Sequence, residues 1–167
     1  ALAVFYLAAA RRCGLKADSV DFPGHVLLRV ETPVGPVALD PFSQGRLVLP
    51  SELSRRALRA GLTPVAADRL ETIMAPMTDR RLLIRLQNLI FARAQRSGDH
   101  EAAERAALRC ALLDPDDHRP WLDVAAAREA QGALTGALAA IARAHRLDGA
   151  DDTRAEQARR RMQLRLN

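Results

Sequence analysis

The sequence predicts an α+β protein in two parts, a helix with an antiparallel sheet over residues 1–76 followed by an all-α half over residues 77–167. Three observations carry this. Two short runs rich in β-branched residues and leucine, His25–Val30 and Val37–Asp40, flank the turn-forming stretch ETPVGP. From Thr78 onward the apolar spacing is helical to the end. Within that second half, RSGDHEAAERAALRCALLDPDD and AQGALTGALAAIARAHRLDGADD superpose at an offset of 34 residues. With 167 residues and 49% hydrophobic composition there is enough apolar material to build a core in each half.

Residues 1–13 form the first helix, and Gly14 is its stop, with Leu15 following. The opening run ALAVFYLAAA is about half as long as the roughly 20 residues of a membrane span, and Arg11 and Arg12 end it. It has no charged leader and no cleavage-site pattern, so it does not read as a signal peptide. Its apolar periodicity is already running at residue 1 with no cap ahead of it, which reads as a helix met partway and a chain missing its natural N-terminus.

Phe22-Pro23-Gly24-His25 places a Pro-Gly turn at the mouth of the first strand. In an antiparallel hairpin with its turn over Thr32 to Gly35, His25 and Asp40 are diagonal neighbours on one face. A loop from Glu31 to Val34 makes them directly opposite. That face also carries Leu27, Arg29 and Ala38. The other carries Val26, Leu28, Val30, Val37 and Leu39, wholly apolar, so it is expected to be the buried face and to fix the register. A carboxylate beside an imidazole holds its tautomer and stabilises the imidazolium, as a base serving a nucleophile requires. The alternative is a solvated ion pair on a half-exposed sheet.

After PFSQGR the chain returns through LVLP, Ser51 is expected to cap a helix ending near Ala60, and residues 62–78 form a proline-punctuated connection with a helical turn around Ala66 to Met74. In the repeats, Gly98 falls on Gly132, Ala103 on Ala137 and Cys110 on Ala144. Period and spacing resemble tetratricopeptide repeats over residues 82–150. The likeness implies two antiparallel helices per repeat, Trp121 in the aromatic position of a first helix and alanines at close crossings. Gly149 and Arg128 depart from that family's pattern, having replaced a proline and a tyrosine. Residues 151–166 read as the polar capping helix that a short solenoid needs.

The composition excludes several roles. Cys13 and Cys110 lie far apart, with no CxxC pair and no metal-ligand spacing, so neither a disulfide framework nor a metal site is expected, and a reducing cytoplasm is the expected compartment. The net charge of +5 is almost all arginine, Lys16 being the only lysine, and aromatics at 4% leave little for base stacking, which argues against nucleic acid. Cys13 sits at a helix C-terminus, where the macrodipole disfavours a thiolate, and Cys110 fills a small-residue core slot. Ser43 lies in a loop with no identified oxyanion donors, so neither it nor Ser51 reads as a nucleophile.

AARRCGL in a helix, then FPGH opening a strand, then LDPF closing the next, then the repeats, together resemble the bacterial transglutaminase-like and tetratricopeptide repeat proteins of the SirB type. The resemblance implies a partial transglutaminase-like, papain-like first half. In that superfamily a Cys at a helix N-terminus attacks an acyl carbon, a strand His is its base and an Asp on the next strand orients the His. His25 and Asp40 match the last two places. The nucleophile's place falls upstream of Ala1. SirB-type families lacking the Cys are pseudoenzymes, so the implied function is a cytoplasmic interaction or regulatory module that binds a protein or peptide in the repeat groove, without cofactor or metal. Trp121, Arg93 and Arg128 are the candidate binding residues, and Arg143 and Arg154 are further arginines suited to an acidic partner. These arginines also fit an ordinary solvated helix face. The alternative function is a thiol acyl-transferase or cysteine protease using an upstream Cys with His25 and Asp40.

Overall fold

The structure is a computed structural model that describes residues 2–147 and 153–166. The chain divides into two compact units, Ala1–Leu82 and Leu83–Asn167.

In the first unit, helix α1 (Leu2–Arg12) runs into strands β1 (Ala17–Phe22), β2 (His25–Thr32), β3 (Gly35–Asp40) and β4 (Arg46–Val48), with a 3-10 turn at Pro41–Ser43. Helices α2 (Pro50–Arg59), α3 (Pro64–Ala67) and α4 (Leu70–Ile73) lead to β5 (Pro76–Met77). All strand pairs are antiparallel, in the order β4-β3-β2-β1-β5. Helix α1 ends as its sequence dictates. Gly14 takes a φ of 76°, its N–H bonds Arg11 O, and Leu15 N–H bonds Ala10 O, so the last carbonyls of the helix are satisfied.

The β2–β3 register places Thr32 opposite Gly35 and Arg29 opposite Ala38, so His25 and Asp40 share a face as diagonal neighbours. The expectation that only the opposite face is buried is corrected. Val26, Leu28 and Val30 are buried, but so are Leu27, Ala38 and Asp40. The reason is the connection after β4, which folds over the His25 face. Leu53 and Ala57 of α2, Ala67 of α3, and Ile73 and Met74 in and after α4 form one core with Val20, Phe22, Leu27, Ala38 and Val48.

The first unit also runs past residue 76, because Pro76 and Met77 pair with Val20 and Ser19 of β1. The cap of α2 is Leu49 with Pro50 in the first turn, so Ser51 stands inside the helix and makes no cap. Proline at that position carries a pre-set φ and gives up only an N–H that the helix cannot use.

In the second unit, α5 (Asp79–Ser97, whose first turn belongs to the first unit), α6 (His100–Leu113), α7 (Arg119–Ala130), α8 (Leu134–Leu147) and α9 (Thr153–Leu166) follow one another. Neighbours α6 and α7, α7 and α8, and α8 and α9 pack together. The repeat is geometric as well as textual. His100 to Leu134 and Leu113 to Leu147 are each 34 residues apart, so α6 and α8 begin and end in register. The pairs Ala103 and Ala137, Ala106 and Ala140, and Cys110 and Ala144 are all buried. Asp148 and Gly149 of the repeat lie outside the described residues, as do 151 and 152 of the expected capping helix. Met162 of α9 is buried against Ile141 and Val124, so this polar helix still contributes a core side chain. Among the described residues, no helix is long and apolar enough to cross a membrane.

Two expectations follow. Gly45 has a φ of 74°, and a Cβ there meets Tyr6 Cε1 at 2.7 Å, whereas Gly24, with a φ of 72°, has open space around it. Gly24→Ala is expected to cost about 1 kcal/mol through backbone strain alone, and Gly45→Ala at least about 2 kcal/mol because Tyr6 must also move. Urea denaturation of the two variants checks the order. Trp121 is half-buried against the α7–α8 core, so Trp121→Ala is expected to lower stability by about 2 to 3 kcal/mol, read in the same way.

Candidate functional site

The site is built at the end of the sheet where β2 begins and β3 stops. Phe22 pairs with His25 across the Pro23-Gly24 turn, which fixes where the imidazole leaves the backbone. Asp40 is the last residue of β3 and caps the 3-10 turn that follows, with Pro41 in its first position. The Asp-Pro-Phe motif therefore has a local structural cause as well as a chemical one. The carboxylate that caps Phe42 N–H at 3.0 Å is the same one that meets His25.

His25 Nε2 lies 2.9 Å from Asp40 Oδ1. A carboxylate only accepts, so Nε2 carries the proton of the neutral ring and Nδ1 holds the lone pair. The histidine side chain is 32% exposed and that of Asp40 3% exposed, so the imidazole reaches solvent while the carboxylate does not. The Phe42 ring packs against the imidazole with centroids 4.8 Å apart. Ser43 Oγ donates to Asp40 Oδ2 at 3.1 Å, which puts this hydroxyl on the carboxylate and not on the histidine. Arg56 Nη1 of α2 donates to the same Oδ2 at 2.9 Å.

Asp40 thus accepts four hydrogen bonds, two on each oxygen, which fills a carboxylate's accepting capacity. Burial pushes its pKa up, but the bonds from His25, Arg56 and the Phe42 N–H outweigh that and hold the carboxyl well below the usual range. The chain of charges continues outward. Arg56 also bonds Glu52 one helical turn away at 2.7 Å, and Glu52 accepts from Arg46 of β4 at 2.6 Å. Together Arg46 and Arg56 lower the Glu52 carboxyl to about 2.

The sequence points to His25 and Asp40 as neighbours, and they meet, but it gives no notice of Arg56, whose partner is 16 residues away. The available local signal is the Glu52-to-Arg56 spacing of one helical turn.

The candidate binding residues lie in the second unit, and the structure gives them different surroundings. Arg128 is not presented freely. It bonds Glu104 at 2.7 Å and Gly136 O at 3.1 Å, clamping α6, α7 and α8 together. Arg143 stands over the Trp121 ring, 5.8 Å from its centroid. Arg93 is exposed, and the side chain of Arg154 lies outside the described residues. Cys13 is exposed just beyond the C-terminus of α1, and Cys110 is buried with its thiol pKa pushed up by burial. Among the described residues, no cluster of His, Cys, Asp and Glu could hold a metal ion.

Residues 1–88 match the family model of the transglutaminase-like superfamily, more than half of the 167 residues. The chain belongs to the transglutaminase-like superfamily. The match takes in the whole first unit, with His25, Asp40 and Arg56. Two curated proteins, each named UPF0162 protein, are also similar. The one from Xylella fastidiosa strain Temecula1 is 37% identical over 142 residues, 82% of this chain and 49% of that protein. The one from strain 9a5c is 34% identical over 116 residues, 69% of this chain and 41% of that protein. The chain spans about half the length of the curated relatives it matches or less.

The ion pairs of the transglutaminase-like unit predict its acid behaviour. The unfolded chain binds a proton at Asp40 near the ordinary value of 3.8, the folded chain only at lower pH. The stability that Asp40 contributes is therefore present above the ordinary value and lost as pH falls towards the folded one. Urea midpoints of the parent chain are expected to drop between about pH 5 and pH 3, and those of Asp40→Asn to drop less steeply over the same window. At neutral pH, Asp40→Asn is expected to cost about 1 to 3 kcal/mol, because the partly buried Arg56 loses its charged acceptor.

Proposed function

We propose that this protein is an interaction module. In this reading the transglutaminase-like unit is a scaffold that retains the His25 and Asp40 pair without working as an acyl-transferase, and helical repeats of tetratricopeptide type hold a protein or peptide. The observation that carries the proposal is the Arg56 guanidinium 2.9 Å from Asp40. In a thiol acyl-transferase the orienting carboxylate stabilises the imidazolium formed when histidine takes the thiol proton. Here the carboxylate is shared between His25 and the Arg56 guanidinium, so it ties the hairpin to α2 as well as orienting the histidine.

The repeat assignment is supported by the 34-residue spacing of α6 and α8 and by the buried alanines at their crossings. Two free cysteines fit a reducing cytoplasm, and the reading requires no cofactor or metal. A bacterial regulatory role is what the resemblance to SirB-type proteins implies.

The ring orientation favours a second reading, a thiol acyl-transferase or cysteine protease with a Cys upstream of Ala1. With Nε2 on Asp40, Nδ1 remains for a thiol proton. Acyl transfer from glutamine-containing peptides separates the two readings, using a chain extended to the length of the curated relatives. Ammonia release at the background rate, unchanged by His25→Ala, is the expected result. Turnover that His25→Ala abolishes assigns the second reading.

A further inference from the structure

We propose that the outward face of α5 in the second unit is a docking site for an acidic amphipathic helix of a partner protein. The inward side of α5 is settled by its contacts. Phe91 and Ala94 share a core with Ala103 of α6 and Ala127 of α7, and the Cys110 thiol of α6 donates to Asn88 Oδ1 at 3.3 Å. Leu83, Leu86, Leu89 and Ile90 recur at the three- and four-residue spacing of one helix face, turned away from those contacts. Leu83, Leu89 and Ile90 are 39%, 59% and 44% exposed, and Leu86 is half-buried. Apolar side chains gathered on one face with water over them mark an interaction surface.

The 34-residue echo indicates what covers such a face. Moved forward by that offset, Leu86, Ile90 and Arg93 fall on Pro120, Val124 and Ala127 of α7, and all three of those are buried. Helix α7 has α6 packed before it and α8 after it, and Ala127 shares its core with Ala94 and Ala103, both earlier in the chain. A face that preceding helices close on α7 is open on α5 among the described residues, so the occupant is a helix too. Its charge follows from the edge of the stripe. Helix α5 carries five arginines against one acid, and that acid, Asp79, bonds Arg11. Arg93 is within one turn of Leu89 and Ile90 on the helix surface, is exposed, and has no carboxylate beside it among the described residues. Arg96 is exposed as well, with its Nε bonded to Ala92 O of its own helix at 3.2 Å. An acidic edge on the partner pairs with these guanidinium groups, whereas a second copy packed stripe on stripe would set arginine against arginine.

The site rests on the reading of the protein as an interaction module and gives its partner a chemistry. Fluorescence anisotropy of the full chain tests it, with a labelled helical peptide of about 18 residues that carries alanine and leucine on one face and glutamate along its edges. A twin peptide carries lysine for each glutamate. The glutamate peptide is expected to bind saturably, one to one, and about tenfold more tightly than its twin, the margin narrowing as salt is added. Leu89→Ser is expected to weaken the glutamate peptide about fivefold. Arg93→Glu is expected to weaken the glutamate peptide and strengthen the lysine one, a gain that a misfolded variant could not give. Val34→Ser, at a 95% exposed turn of the first unit, is expected to leave both affinities at the parental value. No saturable binding of the glutamate peptide up to about 1 mM overturns the proposal. So do equal affinities for the twins, or parental affinities in Leu89→Ser or Arg93→Glu. Flotation with phosphatidylglycerol vesicles that Leu89→Ser abolishes assigns the face to a membrane, and a dimer in sedimentation that Leu89→Ser abolishes assigns it to a second copy, and either result overturns the proposal as well. Ammonia release that His25→Ala abolishes counts against the interaction-module reading and leaves these peptide measurements standing, so the two fail separately.

Discussion

One carboxylate organises the first unit. Asp40 is nearly inaccessible to solvent, and a buried anion survives only where donors replace the water it has lost. Its four donors come from the start of β2, from two positions of the turn after β3, and from α2. The hairpin, the 3-10 turn and the helix laid over the sheet are therefore registered against the same two oxygen atoms. The position of His25 is one result of that convergence, and so is the direction in which α2 crosses the sheet.

This arrangement serves a structural end whether or not it also serves a catalytic one. A histidine with its Nε2 on a buried carboxylate is held in one tautomer whether or not a nucleophile faces it. What distinguishes the two cases is how much of the carboxylate's charge is reserved for the imidazolium. The Arg46, Glu52, Arg56 and Asp40 chain alternates in sign from the exposed edge of the sheet inward and ends on the His25 imidazole. Each anion in it has two such partners, Glu52 the two arginines and Asp40 the Arg56 guanidinium and the imidazole, so neither carboxylate is reserved for one group.

Much of this was legible in the residues and some was not, for identifiable reasons. Gly14 after an apolar helical run, and apolar alternation on either side of ETPVGP, fix α1 and the β2–β3 register, because backbone conformation and burial act locally there. Strand β1 was hidden by its polar composition. Ser19 is completely buried, and its hydroxyl has no partner among the described residues, so DSVDF reads as a loop although Val20 and Phe22 face the core. Strands β4 and β5, with three and two residues, are too short to show any period. The burial of the His25 face was missed because it depends on α2 to α4 folding back over the sheet. Nothing in the hairpin itself encodes that. The same distance in sequence concealed Arg56, whereas the repeats, being neighbours in the chain and in space, were visible as a 34-residue echo.

The two outermost strands carry a consequence for behaviour at high concentration. A sheet edge exposes unpaired N–H and C=O groups on which another chain can add a strand, and long flat edges nucleate aggregates. Here β4 offers only three residues, with Arg46 drawn towards Glu52, and β5 offers two, one of which is Pro76 with no N–H to donate. A transient partner strand would find too few hydrogen bonds on either side to hold it. Brevity and proline thereby make both outermost strands poor templates for another strand.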